Sequence, residues 1–466
     1  MFSKPLVMCA AVVLAACAHV DTSKPEVELP PLTEKAAPGS ERFWTLFEDE
    51  QLTKLVDEAL ANSRDLKIAV SRIEEARANL RIARQTLWPS LDANAGASRN
   101  KLSGAIDLPP GTPLIANTFN VGVSAAYEID LWGKLAAGES AAGSTLLATR
   151  YATETVRIAL AAQVANTYFA LRSLDADLRV TRDTLGTRDE NVRLQRSRAA
   201  AGVTSELDLR LAEAERSNVA ATIPPLERAV AQTEAALARL VGRSAKGVYM
   251  PDIARGRVMD EKIVAPNVPV GLPSDLLTRR PDIRQAEANL IATRALTAEA
   301  RGQYFPSLTL TASLGQESAD LSDLFKAPAR VWSIAGSLLQ PIIGLKRIEA
   351  QVDAATARSE QAALSYQQSI VDALRDVHDA LISHSTALAA FNAQDERRNK
   401  QAEVLRLAEL RYKNGYSSYL EVLDAQRNLF DADRARLAAL RDRQTAIVDL
   451  YRALGGGWSP EQFASR

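Results

Sequence analysis

The sequence predicts a mainly α-helical chain with a β-barrel part, laid out as two tandem repeats of helix, strand, strand, long helix, long helix. Three observations carry this. The chain repeats itself: Trp88-Pro89-Ser90-Leu91 matches Phe305-Pro306-Ser307-Leu308, Gly202-Val203-Thr204-Ser205 matches Gly415-Tyr416-Ser417-Ser418, and Leu237 to Gly242 matches Leu450 to Gly455, at offsets of 217, 213 and 213. Four segments alternate apolar with small polar residues over about 10 positions, the length of a tilted membrane strand. Residues 134–198 contain no proline, and a helix of that span would run roughly 100 Å at 1.5 Å per residue. No ordinary globular core needs such a rod.

The first 16 residues, with Lys4 before the apolar run Leu6–Ala16, predict a secretory signal peptide too short to span a bilayer. Leu14-Ala15-Ala16-Cys17 resembles a bacterial lipobox, which would make Cys17 the lipidated first residue of the mature chain. An ordinary signal peptide with a chance cysteine is the alternative. By analogy with lipoproteins, Ala18 in place of aspartate gives no reason for retention in the inner membrane. Residues 17–62 form a lipidated N-terminal segment. Cys9 is the only other cysteine, so the remaining chain offers no disulfide, thiolate metal site or cysteine nucleophile. The histidines, His19, His378 and His384, are scattered, and the last two do not share the helical face of an i,i+4 zinc pair. A net charge of -1 argues against a nucleic-acid partner. No later apolar run reaches the 18 or so residues of a membrane helix, and a membrane protein without one must use a closed barrel.

The first repeat covers 63–242. Its opening helix carries Leu66, Ala69, Ile73, Ala76, Leu80, Ala83 and Leu87 at alternating steps of three and four, a stripe for packing helix on helix, and Pro89 ends it. Strands follow at about 89–99 and 118–130, then long helices at 134–198 and 203–241. Leu160, Val164, Thr167, Leu171, Thr181, Leu185 and Val192 stripe the first of these helices. Residues 243–274, with Pro251, Pro266, Pro269 and Pro273, read as a linker. The second repeat, 275–458, opens on the stripe Ile283, Ala286, Leu290, Thr293, Thr297, Ala300 and Tyr304. Strands at about 306–315 and 331–340 and helices at 346–413 and 417–454 complete it, and 459–466 is a tail. His384 falls on the stripe of the third long helix and reads as a packed side chain.

In the strands, Leu91, Ala93, Ala95 and Ala97 alternate with Asp92, Asn94, Gly96 and Ser98, and Phe119, Val121, Val123 and Tyr127 alternate with Asn120, Gly122, Ser124 and Glu128. The second repeat does the same around Leu308, Leu310, Leu314, Trp332, Ile334 and Leu338. A soluble sheet would need its apolar face covered, and no short amphipathic helix stands out to cover it. Lipid on one side and a wet lumen on the other account for both faces. Trp88, Trp132, Tyr304, Phe305 and Trp332 cluster near strand ends, as in an aromatic girdle. Four strands cannot close a barrel, whose minimum is about 8, so closure requires several chains. Two chains would supply 8 strands and three would supply 12, and the strand pattern does not choose between them. The loop 100–117 and a loop near 317–330 would lie outside, and the turns at Ala201-Gly202 and Asn414-Gly415 at a far periplasmic tip.

Five motifs, in order, resemble those of the TolC/OprM-type outer-membrane efflux family, and the resemblance covers nearly the whole mature chain. Tyr127-Glu-Ile-Asp-Leu-Trp-Gly-Lys134 resembles its strand-to-helix signature, and Ile223-Pro-Pro-Leu-Glu227 its mid-helix proline break. Gly271-Leu-Pro-Ser-Asp-Leu-Leu-Thr-Arg-Arg-Pro-Asp-Ile283 resembles its inter-half motif. Arg411 to Arg427 resembles its tip turn and Leu454-Gly-Gly-Gly-Trp458 its ending. The resemblance implies a homotrimer with a 12-stranded barrel on a helical tunnel, carrying drugs, metal ions or other solutes outward. It also implies a periplasmic membrane-fusion adaptor, an inner-membrane transporter of the resistance-nodulation-division type, and contact with outer-membrane lipid. It implies no cofactor. The lipobox points to the lipoprotein branch, with Cys17 carrying the acyl anchor. By the same resemblance Leu420 plugs a closed tip while Asp424 and Arg427 form ion pairs holding neighbouring helices inward. The plainer alternative is an i,i+3 surface pair worth roughly 0.3–0.5 kcal/mol. Arg198, Gly202, Val203 and Thr204 in one turn, and Arg411, Gly415, Tyr416 and Ser418 in the other, are the expected adaptor dock. Glycine by itself supports only a hairpin turn.

An enzyme is disfavoured. Gly138 and Gly143 are spaced as in a phosphate loop, but the required lysine is missing. Other readings are a type I secretion exit duct and a periplasmic adaptor or structural coiled-coil lipoprotein. The second would lack two repeats each carrying a pair of membrane-length strands.

Overall fold

The computed structural model describes residues 42–103, 113–256 and 279–456, with Pro25 and Ala105. The signal peptide, Cys17, most of the linker and the C-terminal tail lie outside the described residues. Twelve elements beyond 3-10 turns are described: α1 (Glu50–Asn62), α2 (Arg64–Gln85), β1 (Ser90–Lys101), β2 (Ile115–Ile129), α3 (Lys134–Ala200), α4 (Glu206–Leu240), α5 (Ala245–Tyr249), α6 (Pro281–Gly302), β3 (Ser307–Ser318), β4 (Arg330–Leu339), α7 (Leu345–Lys413) and α8 (Tyr419–Ala453). They fall into two compact units. One is built from Arg72–Arg150 and Gln285–Gln367, the other from Val27–Ser71, Tyr151–Arg284 and Gln368–Arg466.

The first unit contains a four-stranded antiparallel sheet in the order β1-β2-β3-β4. Its register sorts the alternating residues cleanly, because partners across a ladder share a face. One rung joins Ala93, Val123, Leu314 and Trp332, and the next on that face joins Leu91, Ala125, Ala312 and Ile334. The other face carries the rung Asp92, Ser124, Ser313 and Ser333, and the Ser313 and Ser333 hydroxyls are hydrogen-bonded at 2.8 Å. Gly122 and Gly315 are partners, and a Cβ on Gly315 would come within 2.6 Å of the Val121 carbonyl oxygen. The bare pair therefore lets two strands approach closely. The apolar face is uncovered: Leu91, Trp332 and Ile334 are each at least 70% exposed.

All four helix–strand junctions, α2 to β1, β2 to α3, α6 to β3 and β4 to α7, lie at one end of this antiparallel sheet. The Tyr127–Lys134 motif builds one of them. Lys134 Nζ bonds Glu128 at 2.6 Å, Asp130 accepts the Ala136 N–H at 2.8 Å, and Gly133 takes φ +71. Trp132 stacks on Phe305 at 4.8 Å and donates its indole N–H to the Pro306 carbonyl. Glu128, Asp130, Trp132 and Lys134 of the motif thus serve the change from strand to helix, and Gly133 supplies its turn.

The second unit holds the largest apolar cluster, in which Phe43, Trp44, Leu52, Leu55, Val56 and Ala59 meet α3, α4, α7 and α8. This corrects one expectation. The segment 17–62 contains a short amphipathic helix, α1, capped by Asp49, where none stood out in the sequence. It covers not the sheet but the helices of this unit. The Pro224-Pro225 step lies inside α4, which runs on from Glu206 to Leu240 through the middle of the helix expected at 203–241.

The repeat is also written in the helix ends. Gly202, Gly242, Gly415 and Gly455 all have positive φ, from +69 to +80. In each case the following N–H reaches back to the carbonyl five residues earlier: Val203 to Arg198, Arg243 to Ala238, Tyr416 to Arg411, Gly456 to Tyr451. This is the Schellman closure of a helix, and glycine fits its left-handed position without strain.

Candidate functional site

The residues singled out as gate and dock converge on one end of the second unit, where α3 turns into α4 and α7 into α8. The two Schellman turns set the exposed positions. Val203 is 70% exposed and Tyr416 is 78% exposed, and they occupy equivalent places. The equivalent arginines differ. Arg198 is half-buried against the Tyr412 ring, 5.7 Å from its centroid, and reaches the Tyr412 hydroxyl at 3.3 Å. Arg411 is exposed and, among the described residues, reaches the Tyr416 carbonyl at 3.4 Å. Thr204 and Ser417, also equivalent, each bury a hydroxyl that lacks a partner among the described residues. Ser418 caps α8 by position without a side-chain cap bond.

Behind the turns the two hairpins are tied by a buried polar layer. Val192, Ala212, Ala408, Tyr419, Val422, Leu423 and Ala425 form a small apolar cluster. Threaded through it, Asn191 donates to the Tyr419 hydroxyl at 2.6 Å and Gln195 to the Tyr412 hydroxyl at 3.3 Å. Arg188 donates to Gln426, and both are buried. Burial pulls the Arg188 guanidinium below its ordinary arginine value, against the pull of Glu215. Burial also pushes the Tyr419 hydroxyl up to about 12.

The gate residues are placed unevenly. Leu420 is 52% exposed. Asp424 is exposed and has no hydrogen bond or ion pair among the described residues. Arg427 does not pair with Asp424 within the chain. It donates to Glu215 Oε2 at 2.5 Å, and the Glu215 side chain is only 5% exposed. The surface i,i+3 pair is therefore absent, and Arg427 instead joins α8 to α4. Glu215, Arg188 and Gln426 were missed from sequence. Arg188 had a signal: it sits between Leu185 and Val192 on the α3 stripe, a charge at a packing position. Glu215 had none, since its partner lies 212 residues away.

The inter-half motif closes the other end of this unit. Arg280 is buried and donates to Asp282 at 2.6 and 3.1 Å, to Asp376 at 3.1 Å and to the Ala453 carbonyl at 3.0 Å. It thereby pins the start of α6 to α7 and to the end of α8. Among the described residues there is no cluster of side chains suited to a metal ion, and no helix is long and apolar enough to cross a membrane.

A family model described as outer membrane efflux protein matches residues 55–243 and 272–456. The solvent efflux pump outer membrane protein SrpC of Pseudomonas putida is 38% identical over 427 residues, covering 92% of this chain and 89% of that protein. The cation efflux system protein CusC of Escherichia coli O6:H1 is 31% identical over 465 residues, covering 98% and 99%. Among solved structures, the CmeC outer membrane channel of Campylobacter jejuni superposes with a TM-score of 0.87 at 27% identity, covering 94% of this chain and 95% of that one.

Proposed function

The chain belongs to the outer membrane efflux protein family, and from that premise we propose that it is the exit duct of a tripartite efflux system, conducting small solutes passively across the outer membrane. The observation that carries the reading is the sheet: an uncovered apolar face, a small polar face and two unpaired edges in one chain. Copies of the chain remove the edges, lipid covers the apolar face, and water wets the other. Three copies of the four strands make a 12-stranded barrel, with Cys17 as a lipid anchor beside it. A single acyl anchor adds affinity but is not decisive beside a barrel. Energy comes from an inner-membrane transporter of the resistance-nodulation-division type, joined by a periplasmic membrane-fusion adaptor docking at Val203, Tyr416 and the turns that present them. The relatives named above handle solvents in one case and cations in another, which fits a duct whose cargo is chosen by the pump.

A duct of this kind must close at rest. Leu420, exposed beside the tip turn, is the plug. Asp424, exposed and without a partner among the described residues, is free to pair across to another copy. Arg427, held by Glu215, fixes α8 against α4. Conductance of the purified protein in planar bilayers, with oligomer mass read on the same preparation, tests the whole reading. A trimer with low conductance that rises in Asp424→Ala supports a gated duct. Arg427→Ala should raise it too, while also destabilising the tip by stranding a buried Glu215 carboxylate. Conductance unchanged in both variants overturns the gate, and a monomer without conductance returns the chain to the adaptor reading. Cysteines at Val203 and Tyr416 should crosslink to the adaptor. Failure there, with assembly intact, puts the dock elsewhere.

A further inference from the structure

The sheet sorts its charges by face. The charged residues of its four strands are Asp92, Arg99, Lys101, Glu128, Glu317 and Arg330. Arg99 and Lys101 pair with Asn117 and Ile115, on the same face as Val121 and Val123. Arg330 pairs with Gln316, itself the partner of Val121, so it too lies on the apolar face. The carboxylates Asp92, Glu128 and Glu317 lie on the other face, beside Ser124, Thr309 and Asn120. The cations also sort by end and by strand. They sit at the end away from the helix junctions, and on the two edge strands, β1 and β4. All three are exposed, and their side chains have no hydrogen bond or ion pair among the described residues. Lys326, in the segment before β4, is by contrast paired with Asp323.

A sheet closed by its own copies sets β4 of one copy beside β1 of the next. Arg330 then meets a neighbour's Arg99 and Lys101 on one face at one end. Like charges on adjacent strands repel, and within the described residues nothing relieves them. An anion at the seam would. Resting on the reading of the chain as a self-assembled barrel, we propose that Arg330 of one copy and Arg99 and Lys101 of the next hold the phosphate groups of an outer-leaflet lipid, a phosphorylated glycolipid seated at each seam.

The order of residues along the face matches the layers of such a lipid. On β4 the outward residues run Arg330, Trp332, Ile334: a cation at headgroup level, an indole at the boundary, an apolar chain below. Trp332 and Ile334 are 70% and 78% exposed, open to acyl chains. Two guanidinium groups per seam suit phosphate, whose oxygens accept their paired N–H donors. The polarity is one-sided. At the junction end the same face carries Leu91, Tyr127, Leu308 and Leu338 and no charge, so the attraction acts on the outer leaflet alone. A soluble anion inside the duct would meet the opposite face, with Asp92 and Glu317. The charge complementarity therefore selects an anion that arrives from the membrane side.

The test uses the full-length protein purified from membranes and stripped of lipid in mild detergent. Native mass spectrometry reads its mass and its occupancy by bisphosphorylated lipid A, by the same lipid dephosphorylated, and by inorganic phosphate. The parent should bind the phosphorylated lipid in preference to the dephosphorylated one, up to one per seam. Arg330→Gln should weaken that binding about fivefold, and the triple variant Arg99→Gln, Lys101→Gln, Arg330→Gln about a hundredfold. Lys326→Gln should leave it unchanged. The single variant keeps the test decisive if the triple one does not assemble. Equal binding of the two lipids, or unaltered binding in Arg330→Gln, overturns the proposal while leaving the barrel intact. Displacement of the lipid by inorganic phosphate at equal concentration overturns the lipid assignment in favour of a free-anion site. A monomeric parent overturns the barrel reading beneath it.

Discussion

Gly242 and Gly202 adopt the same left-handed conformation for the same reason, yet their surroundings make them unequal. A Cβ on Gly242 would lie 2.4 Å from the Asn62 carbonyl oxygen, whereas one on Gly202 would meet nothing within 4 Å. Gly202→Ala should therefore cost only the conformational penalty, about 1–2 kcal/mol. Gly242→Ala must in addition move backbone, and should cost clearly more. Denaturant unfolding of the detergent-solubilised protein separates the two, and equal losses would refute the distinction. His384 is a residue with a pH signature. Burial first, and Arg443 second, hold its imidazole below the ordinary histidine value. The unfolded chain then binds more protons than the folded one between those two values. The stability His384 contributes is present above the unfolded value of about 6.5 and is lost as pH falls below it. Unfolding scans at pH 7.5 and 5.5 should show a smaller loss in His384→Gln than in the parent. An identical loss would assign the acid sensitivity to other groups.

At the scale of elements, the reach of the sequence was uneven for physical reasons. The strands were readable because their period of two is local, and because a duplicated chain states each element twice. The long helices were readable from their stripes and from the absence of breakers. α1 was not, since it stands outside the repeated plan and its segment was assigned to a lipidated leader. Its partners lie in distant helices, and only the assembled core gives Leu52, Leu55 and Val56 their 0–1% exposure. The helix expected at 203–241 persists through Pro224-Pro225 because proline's cost inside a helix, about 3 kcal/mol, is a tendency that packing of Val219 and Leu226 can outweigh. The tip was half legible: its turns follow from glycine and spacing, but the tie between Arg427 and Glu215 joins helices from different repeats. If α1 is integral to this unit, Leu55→Ala should lower stability by about 2–5 kcal/mol. If α1 were a loosely attached leader, the same change would leave the main unfolding transition where it was.

The whole molecule depends on two faces of one sheet meeting different solvents, and that requirement can be tested with neighbouring residues. Ile334 and Ala335 are adjacent on β4 and lie on opposite faces, paired across the ladder with Ala312 and Thr311. Backbone, strand and depth are the same for both, so a charge at either position differs only in what it faces. Ile334→Lys turns an ammonium toward lipid, which near the middle of a membrane barrel costs about 2–4 kcal/mol. It should sharply lower the yield of assembled protein in the outer-membrane fraction. Ala335→Lys turns the same charge toward the lumen, where water solvates it. Assembly should be preserved, and the reversal potential in a salt gradient should move toward anion preference, because every copy adds a cation to the pore wall. If Ala335→Lys blocked assembly while Ile334→Lys assembled and altered ion selectivity, the faces would be inverted and the duct would have to be rebuilt with its apolar side inward. If both assembled with unaltered selectivity, the sheet would not be the wall of the conducting path, and the open edges would need another explanation than closure of a barrel.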